Sequence, residues 1–245
     1  MHALGIDIGG TGIKGAVVDT STGEFVVERL RVDTPQPATP EAISAVVGEM
    51  ARHFDWTGPV GCTFPGVVKH GVIRTAANVD PTWVDLKADD VFAQATGCEV
   101  VVVNDADAAG QAEALFGHEQ ARNGLVVMLT LGTGIGSAMM LDGVLVPNTE
   151  FGHLQMGKKD AEHRAAESVR EREDLGWKGW ANRLGDYLRE LEQLLWPDLF
   201  VLGGGVSKKG DKFIPNIRCS TPVVAAELLN QAGIVGAALA AERLA

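Results

Sequence analysis

IDIGGTGIKGAVVD (residues 6–19) and LTLGTGIGSAMMLDG (residues 129–143) decide the fold. Each sets Gly-Thr-Gly-Ile, at residues 10–13 and 132–135, between two apolar runs and then reaches an aspartate, Asp19 or Asp142. Strand, tight glycine turn and strand make a hairpin whose tip exposes backbone N–H groups and a hydroxyl, and such a tip can hold an anion. One hairpin is a weak signal. Two matched hairpins predict a duplicated fold with a cleft between its halves.

Outward from the first hairpin, strands are expected at 3–9, 13–19 and 24–32. A helix begins at Thr39 or Pro40 and runs to about His53. A strand at 60–66 ends in a Pro-Gly turn, and a short strand with a polar loop covers 71–80. A helix near 88–96 leads into residues 99–103, an apolar run of the kind a fully buried strand shows. Asn104 and Asp105 then cap a helix over 106–117. Outward from the second hairpin come a charged helical stretch at 159–173 and an amphipathic helix at 177–195. A buried strand at 198–205 ends in three glycines, and a small-residue helix covers 232–245. The class is α/β: two βββαβα halves around a central cleft. The halves are a small N-terminal lobe (1–104), to which helix 232–245 returns, and a larger C-terminal lobe (105–231).

The bulk properties exclude several classes. With 46% hydrophobic residues and 30 glycines in 245, the chain fits a compact α/β protein. A net charge of −11 works against nucleic-acid binding, which normally needs a basic footprint. The three cysteines (Cys62, Cys98, Cys219) form no CxxC pair, which argues for reduced thiols in a cytoplasm. No apolar stretch approaches membrane-spanning length, and the first residues enter a strand directly without a leader pattern.

Five motifs in order resemble the sugar-kinase branch of the actin/hexokinase/Hsp70 superfamily, and within it the ROK family. DIGGTGIKG resembles its first phosphate loop and TLGTGIGS its second. VVVNDADAAGQAE (101–113) resembles the segment carrying the catalytic aspartate, NTEFGHL (148–154) the sugar-binding Glu-x-Gly-His signature, and FVLGGGVS (200–207) the nucleotide-side loop. The resemblance spans nearly the whole chain and implies the ribonuclease H-like, actin-like ATPase fold. TFPGVV, RTAANVD, WPDLF and NQAGIVGAA are similar to the polyphosphate-using branch of that family. Most members carry a CxCGxxGC zinc site after the Gly-His pair; here GKKDAEHRAAESV (157–169) has no cysteine, so no zinc site is expected.

The resemblance implies phosphorylation of glucose by inorganic polyphosphate or ATP with Mg²⁺, in a homodimer. Asp105 is then the catalytic base, although an aspartate at a helix start is by itself commonly only a cap. Asn78, Asn104, Asp105, Glu150, His153 and Glu162 would hold the sugar; a carboxylate and an imidazole three residues apart can read adjacent hydroxyls. His153 also reads as a structural histidine or half of a metal pair, for which only His163 is nearby. The Thr63-Phe64-Pro65-Gly66 turn lines the sugar pocket or is only a turn. The donor side comprises Gly9, Gly10, Thr11, Gly12 and Lys14, then Gly132, Thr133 and Gly134, then Gly204 and Gly205. Asp7 would meet Mg²⁺ through water.

Lys14 has no counterpart in the second hairpin, where Gly136 stands, so it reads as a one-sided phosphate contact or an exposed strand lysine. Lys208, Lys209 and Lys212 form a solvated loop or a track for a phosphate chain. Trp177, Trp180, Tyr187 and Leu191 fall at helical spacing and read as core or subunit interface, while Trp83 could stack on a sugar. Two rivals remain: an ATP-only ROK hexokinase, and a non-catalytic sugar sensor. The sensor is disfavoured because the first loop begins at Asp7, which leaves no room for a preceding helix-turn-helix.

Overall fold

The computed structural model describes residues 1–244. They form two compact units, Met1–Ala112 with the chain from Gln231 onward, and Glu113–Asn230.

In the first unit, β1 (His2–Ile8) and β2 (Gly12–Asp19) form the expected antiparallel hairpin. The run expected as a single strand at 24–32 is two strands, β3 (Glu24–Phe25) and β4 (Leu30–Asp33). Both pair with β2, yet five steps from Phe25 to Leu30 answer three steps from Val18 to Gly15. Two extra residues on one side of a ladder cannot be paired, so the strand breaks there. Helix α1 (Pro40–His53) starts on Thr39, whose hydroxyl accepts the Ala42 N–H at 3.3 Å, with proline at the position where its missing N–H costs nothing. Next come β5 (Val60–Phe64), the small ladder β6 (Val68–Lys69) and β7 (Val72–Ile73), α2 (Ala88–Thr96), β8 (Val100–Asn104) and α3 (Asp105–Phe116).

The main sheet runs β3-β2-β1-β5-β8, with β4 also on β2 and with β1, β5 and β8 parallel. The run expected to be fully buried is an edge strand, in which Val101 and Val103 are half-buried.

The second unit repeats the plan. β9 (Leu125–Leu131), β10 (Ile135–Leu141) and β11 (Val144–Val146) form a meander. Where a helical stretch is expected from 159, the chain instead forms a ladder of β12 (Gln155–Met156) with β13 (Lys159–Asp160), then two short helices, α4 (Glu162–Ala165) and α5 (Glu167–Arg172). Gly157, at φ +75°, makes the turn that reverses the chain between those strands. Helix α6 (Trp177–Leu195) buries Trp180, Leu184, Tyr187, Leu188 and Leu191 at helical spacing. Then follow β14 (Leu199–Gly203), α7 (Gly210–Phe213) and β15 (Val223–Ala225), a strand the sequence reading did not anticipate. The sheet order β11-β10-β9-β14-β15, with β9, β14 and β15 parallel, matches the row β3-β2-β1-β5-β8 of the first sheet, while β4 has no counterpart.

Helix α8 (Ala232–Ala241) belongs to the first unit and ends in a 3₁₀ turn (Glu242–Leu244); Ala245, within the helix expected at 232–245, lies outside the described residues. Its backbone lies directly on β1, β5 and α3. A Cβ on Gly5 would overlap the Ile234 carbonyl, one on Gly61 the Ala237 carbonyl, and one on Gly236 the Ala108 carbonyl. Trp83 is fully buried, with its indole N–H on the Ala38 carbonyl at 3.0 Å, which removes it from sugar stacking. No helix among the described residues is long and apolar enough to cross a membrane.

Candidate active site

Each unit contributes its own group of candidate residues. In the first, the Gly9 N–H closes the β1–β2 turn on the Gly12 carbonyl at 3.1 Å. Strand β4 and the residue after it brace this turn: the Thr34 hydroxyl donates to the Gly9 carbonyl at 2.5 Å, and Arg31 Nη2 donates to the Thr11 carbonyl at 3.3 Å. Asp7 stands one residue before the end of β1, opposite Lys14. Lys14 Nζ lies 3.3 Å from Asp7 Oδ2, with both side chains largely covered. The Thr63 hydroxyl donates to Asp7 Oδ1 at 3.0 Å and accepts the Ile8 N–H at 3.0 Å. Thr63 is thus fully buried beneath Asp7, not in a loop lining a sugar pocket.

Asp7 fits a metal-bound water. A carboxylate has about four acceptor positions, of which Thr63 and Lys14 take two. The Asn78 carbonyl lies 4.0 Å from where a Gly10 Cβ would sit, so this exposed loop residue borders the first turn.

At the end of β8 the capping work falls to Asn104. Its Oδ1 accepts the Asp107 N–H at 2.9 Å, and its Nδ2 donates to the Gly66 carbonyl at 3.0 Å. Asn104 is 7% exposed, so its amide is engaged at both ends and keeps one N–H for a ligand. Asp105 follows as the first residue of α3, with Oδ1 accepting the Ala106 N–H at 2.8 Å. Because its neighbour caps the helix, Asp105 is not required for that purpose.

In the second unit the Gly132 N–H closes the turn on the Gly134 carbonyl at 3.1 Å, one residue tighter than the first. The braces differ too. Ser168 donates its N–H to the Gly132 carbonyl at 3.1 Å and its hydroxyl to the Thr133 carbonyl at 2.6 Å. Glu162 Oε2 accepts the Ile135 N–H at 3.3 Å. The Glu162 carboxylate also approaches His153, whose Nδ1 is 3.9 Å from Oε1; the same Nδ1 lies 3.3 Å from Asp160, and Nε2 lies 3.8 Å from Glu150.

Glu150, His153 and Glu162 therefore converge, on a 3₁₀ turn at Phe151–His153 and the start of α4. Asp160, which the sequence reading missed, joins them through the β12–β13 turn. Burial raises the Glu150 carboxyl above its ordinary range; His153 opposes that shift and Glu162 adds to it. Among the described residues, no group of three His, Cys, Asp or Glu side chains is arranged to hold a metal ion.

The two glycines after β14 divide their work. Gly204, at φ +85°, backs onto the Leu131 backbone, where a Cβ would overlap the carbonyl oxygen. Gly205 faces open space. Lys208 is exposed on the following 3₁₀ turn. The Nζ atoms of Lys209 and Lys212 each stand 5.8 Å from the centre of the Trp177 ring, and the Arg170 guanidinium lies 4.3 Å from it.

A protein-family model described as the ROK family matches residues 3–168. The chain is 52% identical over 240 residues to a polyphosphate glucokinase of Mycobacterium tuberculosis, covering 98% of this chain and 91% of that one. It is similar to the crystal structure of an inorganic polyphosphate/ATP-glucomannokinase from Arthrobacter sp. strain KM, at a TM-score of 0.95, 47% identity and coverage of 100% and 99%. A ROK family glucokinase from Streptomyces griseus in complex with glucose and AMPPNP aligns at a TM-score of 0.84 and 27% identity, covering 99% of this chain and 100% of that one.

Proposed function

The chain belongs to the ROK family, and we propose on that premise that it moves the terminal phosphoryl group of inorganic polyphosphate, and also of ATP, to the 6-hydroxyl of glucose. The likeness to the M. tuberculosis polyphosphate glucokinase over 98% of the chain carries this reading.

In the proposed reaction Asp105 accepts the proton of the 6-hydroxyl as that oxygen attacks the terminal phosphorus. The bond to the bridging oxygen breaks and the shortened chain leaves with the electron pair. The products are glucose 6-phosphate and a polyphosphate one unit shorter, or ADP. In this reading the glycine turn of each unit and the Lys14 ammonium serve the donor, whose phosphoryl oxygens gain charge in the reaction. The free acceptor positions of Asp7 would hold a water of Mg²⁺, which when bound with the donor would supply further positive charge there. Glu150, His153 and Glu162 read the sugar hydroxyls, and Asn104 offers its remaining N–H. Gly205 and the lysines 208, 209 and 212 serve the donor.

The reading extends to a homodimer in the cytoplasm. Its support is the exposed apolar Leu194 and Trp196 at the end of α6, and the free state of all three cysteines. A coupled glucose 6-phosphate assay with polyphosphate and with ATP tests the activity. Turnover with polyphosphate is expected. Turnover with ATP alone would replace this reading by an ATP-dependent hexokinase, which the likeness to the S. griseus enzyme favours. Turnover with neither would refute both.

A further inference from the structure

We infer that Arg31 binds a phosphate of the donor chain, extending the first glycine turn into a track of two cations with Lys14. The inference rests on the proposed use of a phosphate-chain donor and names a residue for it.

Strand register supplies the first observation. Asp7 on β1 is directly opposite Lys14 on β2, and Lys14 is directly opposite Arg31 on β4. Directly opposed residues project from the same face of a sheet. One row across three strands therefore reads carboxylate, ammonium, guanidinium. Asp7 meets Lys14 at 3.3 Å, but the Lys14–Arg31 step places two like charges opposite each other, which by itself weakens a sheet.

The second observation is where the guanidinium lies. Nη1 reaches Asp33 at 2.7 Å, and Nη2 donates to the Thr11 carbonyl at the turn itself at 3.3 Å. A Cβ on Gly12 would stand 2.9 Å from Nη2, 3.0 Å from Nε and 3.1 Å from Cζ. The missing side chain of Gly12 thus lets the guanidinium lie along the turn. The Arg31 side chain remains half exposed, at 50%. Two of its five N–H groups are engaged, leaving three for a ligand.

An ion pair as exposed as Arg31–Asp33 adds little to stability, so fold stability does not explain two cations side by side. A polyanion does. Lysine serves phosphate as a point charge and arginine as a two-pronged donor, so successive phosphates of one chain fit the row.

The test compares wild type, Arg31→Gln, Arg31→Lys and Asp33→Asn. Calorimetric titration of the intact protein with inorganic polyphosphate of fixed chain length, without glucose, reads binding directly. Arg31→Gln should weaken binding about tenfold, the scale of one charged hydrogen bond, and leave the KM for glucose unchanged. Arg31→Lys should fall between the two, and Asp33→Asn should bind at least as tightly as wild type. Unchanged binding in Arg31→Gln, or an equal loss in Asp33→Asn, overturns the inference. A wild type that binds polyphosphate but does not phosphorylate glucose would sink the proposed activity while leaving the Arg31 assignment to stand on the titration.

Discussion

The Thr63 hydroxyl donates to the Asp7 carboxylate at 3.0 Å while accepting the Ile8 N–H at the same distance, so one buried side chain fixes both the carboxylate and the strand behind it. Parallel pairing of β1 with β5 creates this link. Valine has the same shape and neither function. Thr63→Val should lower kcat tenfold to a hundredfold, the usual scale for losing the group that orients a ligand-binding side chain. It should also lower stability by about 1–3 kcal/mol through the unpaired Ile8 N–H. Thr63→Ser keeps the hydroxyl and should restore kcat. If Ser and Val behave alike, the hydroxyl does not position Asp7.

Asp105 stands beside a residue that already caps α3, so its carboxylate can change without unwinding the helix. Asp105→Asn preserves size and loses basicity. We expect kcat to fall by about 10²–10⁴, with glucose binding kept within a few fold. Equilibrium binding of glucose and steady-state rates, measured on one preparation, separate the two effects. A variant that keeps its kcat would move the base elsewhere.

What could be read in advance follows from how local each signal is. The duplicated hairpins, the β8–Asn104–Asp105 junction and the Glu150/His153 turn are continuous stretches, and a continuous stretch carries its own periodicity and turn chemistry. The break between β3 and β4 is a mismatch of two residues against β2, and no property of residues 24–33 alone reveals which residues oppose them. The role of Thr63 likewise depends on parallel pairing across more than fifty residues, so in one dimension it looks like part of a Pro-Gly turn. Arg31 enters through the same kind of register. Gly204 and Gly205 read alike as donor-side glycines, yet Gly204 is required by the backbone of Leu131. A sequence shows that a glycine is present but not which neighbour needs the space.

Glu113 gives a pH dependence. It is fully buried, and its two oxygens accept the Glu227 N–H at 3.1 Å and the Leu228 N–H at 2.7 Å. Burial raises its carboxyl above the ordinary glutamate range, and the two N–H groups offset only part of that shift. A raised carboxyl favours the protonated fold. Its contribution to stability is complete below the unfolded value near 4.5 and is lost as pH rises through the folded value. Glu113→Gln cannot ionise, so its urea midpoint should fall less than that of wild type between about pH 4.5 and 7. Asp89, Glu150 and Glu167 are raised in the same direction but are present in both proteins, so the difference in slope isolates Glu113. Parallel profiles would show that Glu113 stays ionised throughout.

One substitution made at two glycines should separate the site from the scaffold. At Gly134 an added Cβ would overlap the Glu162 carboxylate, the end of a flexible side chain that can swing away. The fold should survive, but Glu162 would leave the Ile135 N–H and the neighbourhood of His153. Gly134→Ala is therefore expected to raise the KM for glucose about tenfold, the loss of one charged hydrogen bond, with little change in Tm. At Gly61 the obstacle is the Ala237 carbonyl, part of the α8 backbone, which has no rotamer to give. Gly61→Ala must push α8 off β5 or strain both, at a cost of about 3 kcal/mol or more. Thermal melts and glucose kinetics on the two variants read the contrast. A normal glucose KM in Gly134→Ala would show that Glu162 does not touch the sugar, whatever its place beside the second turn.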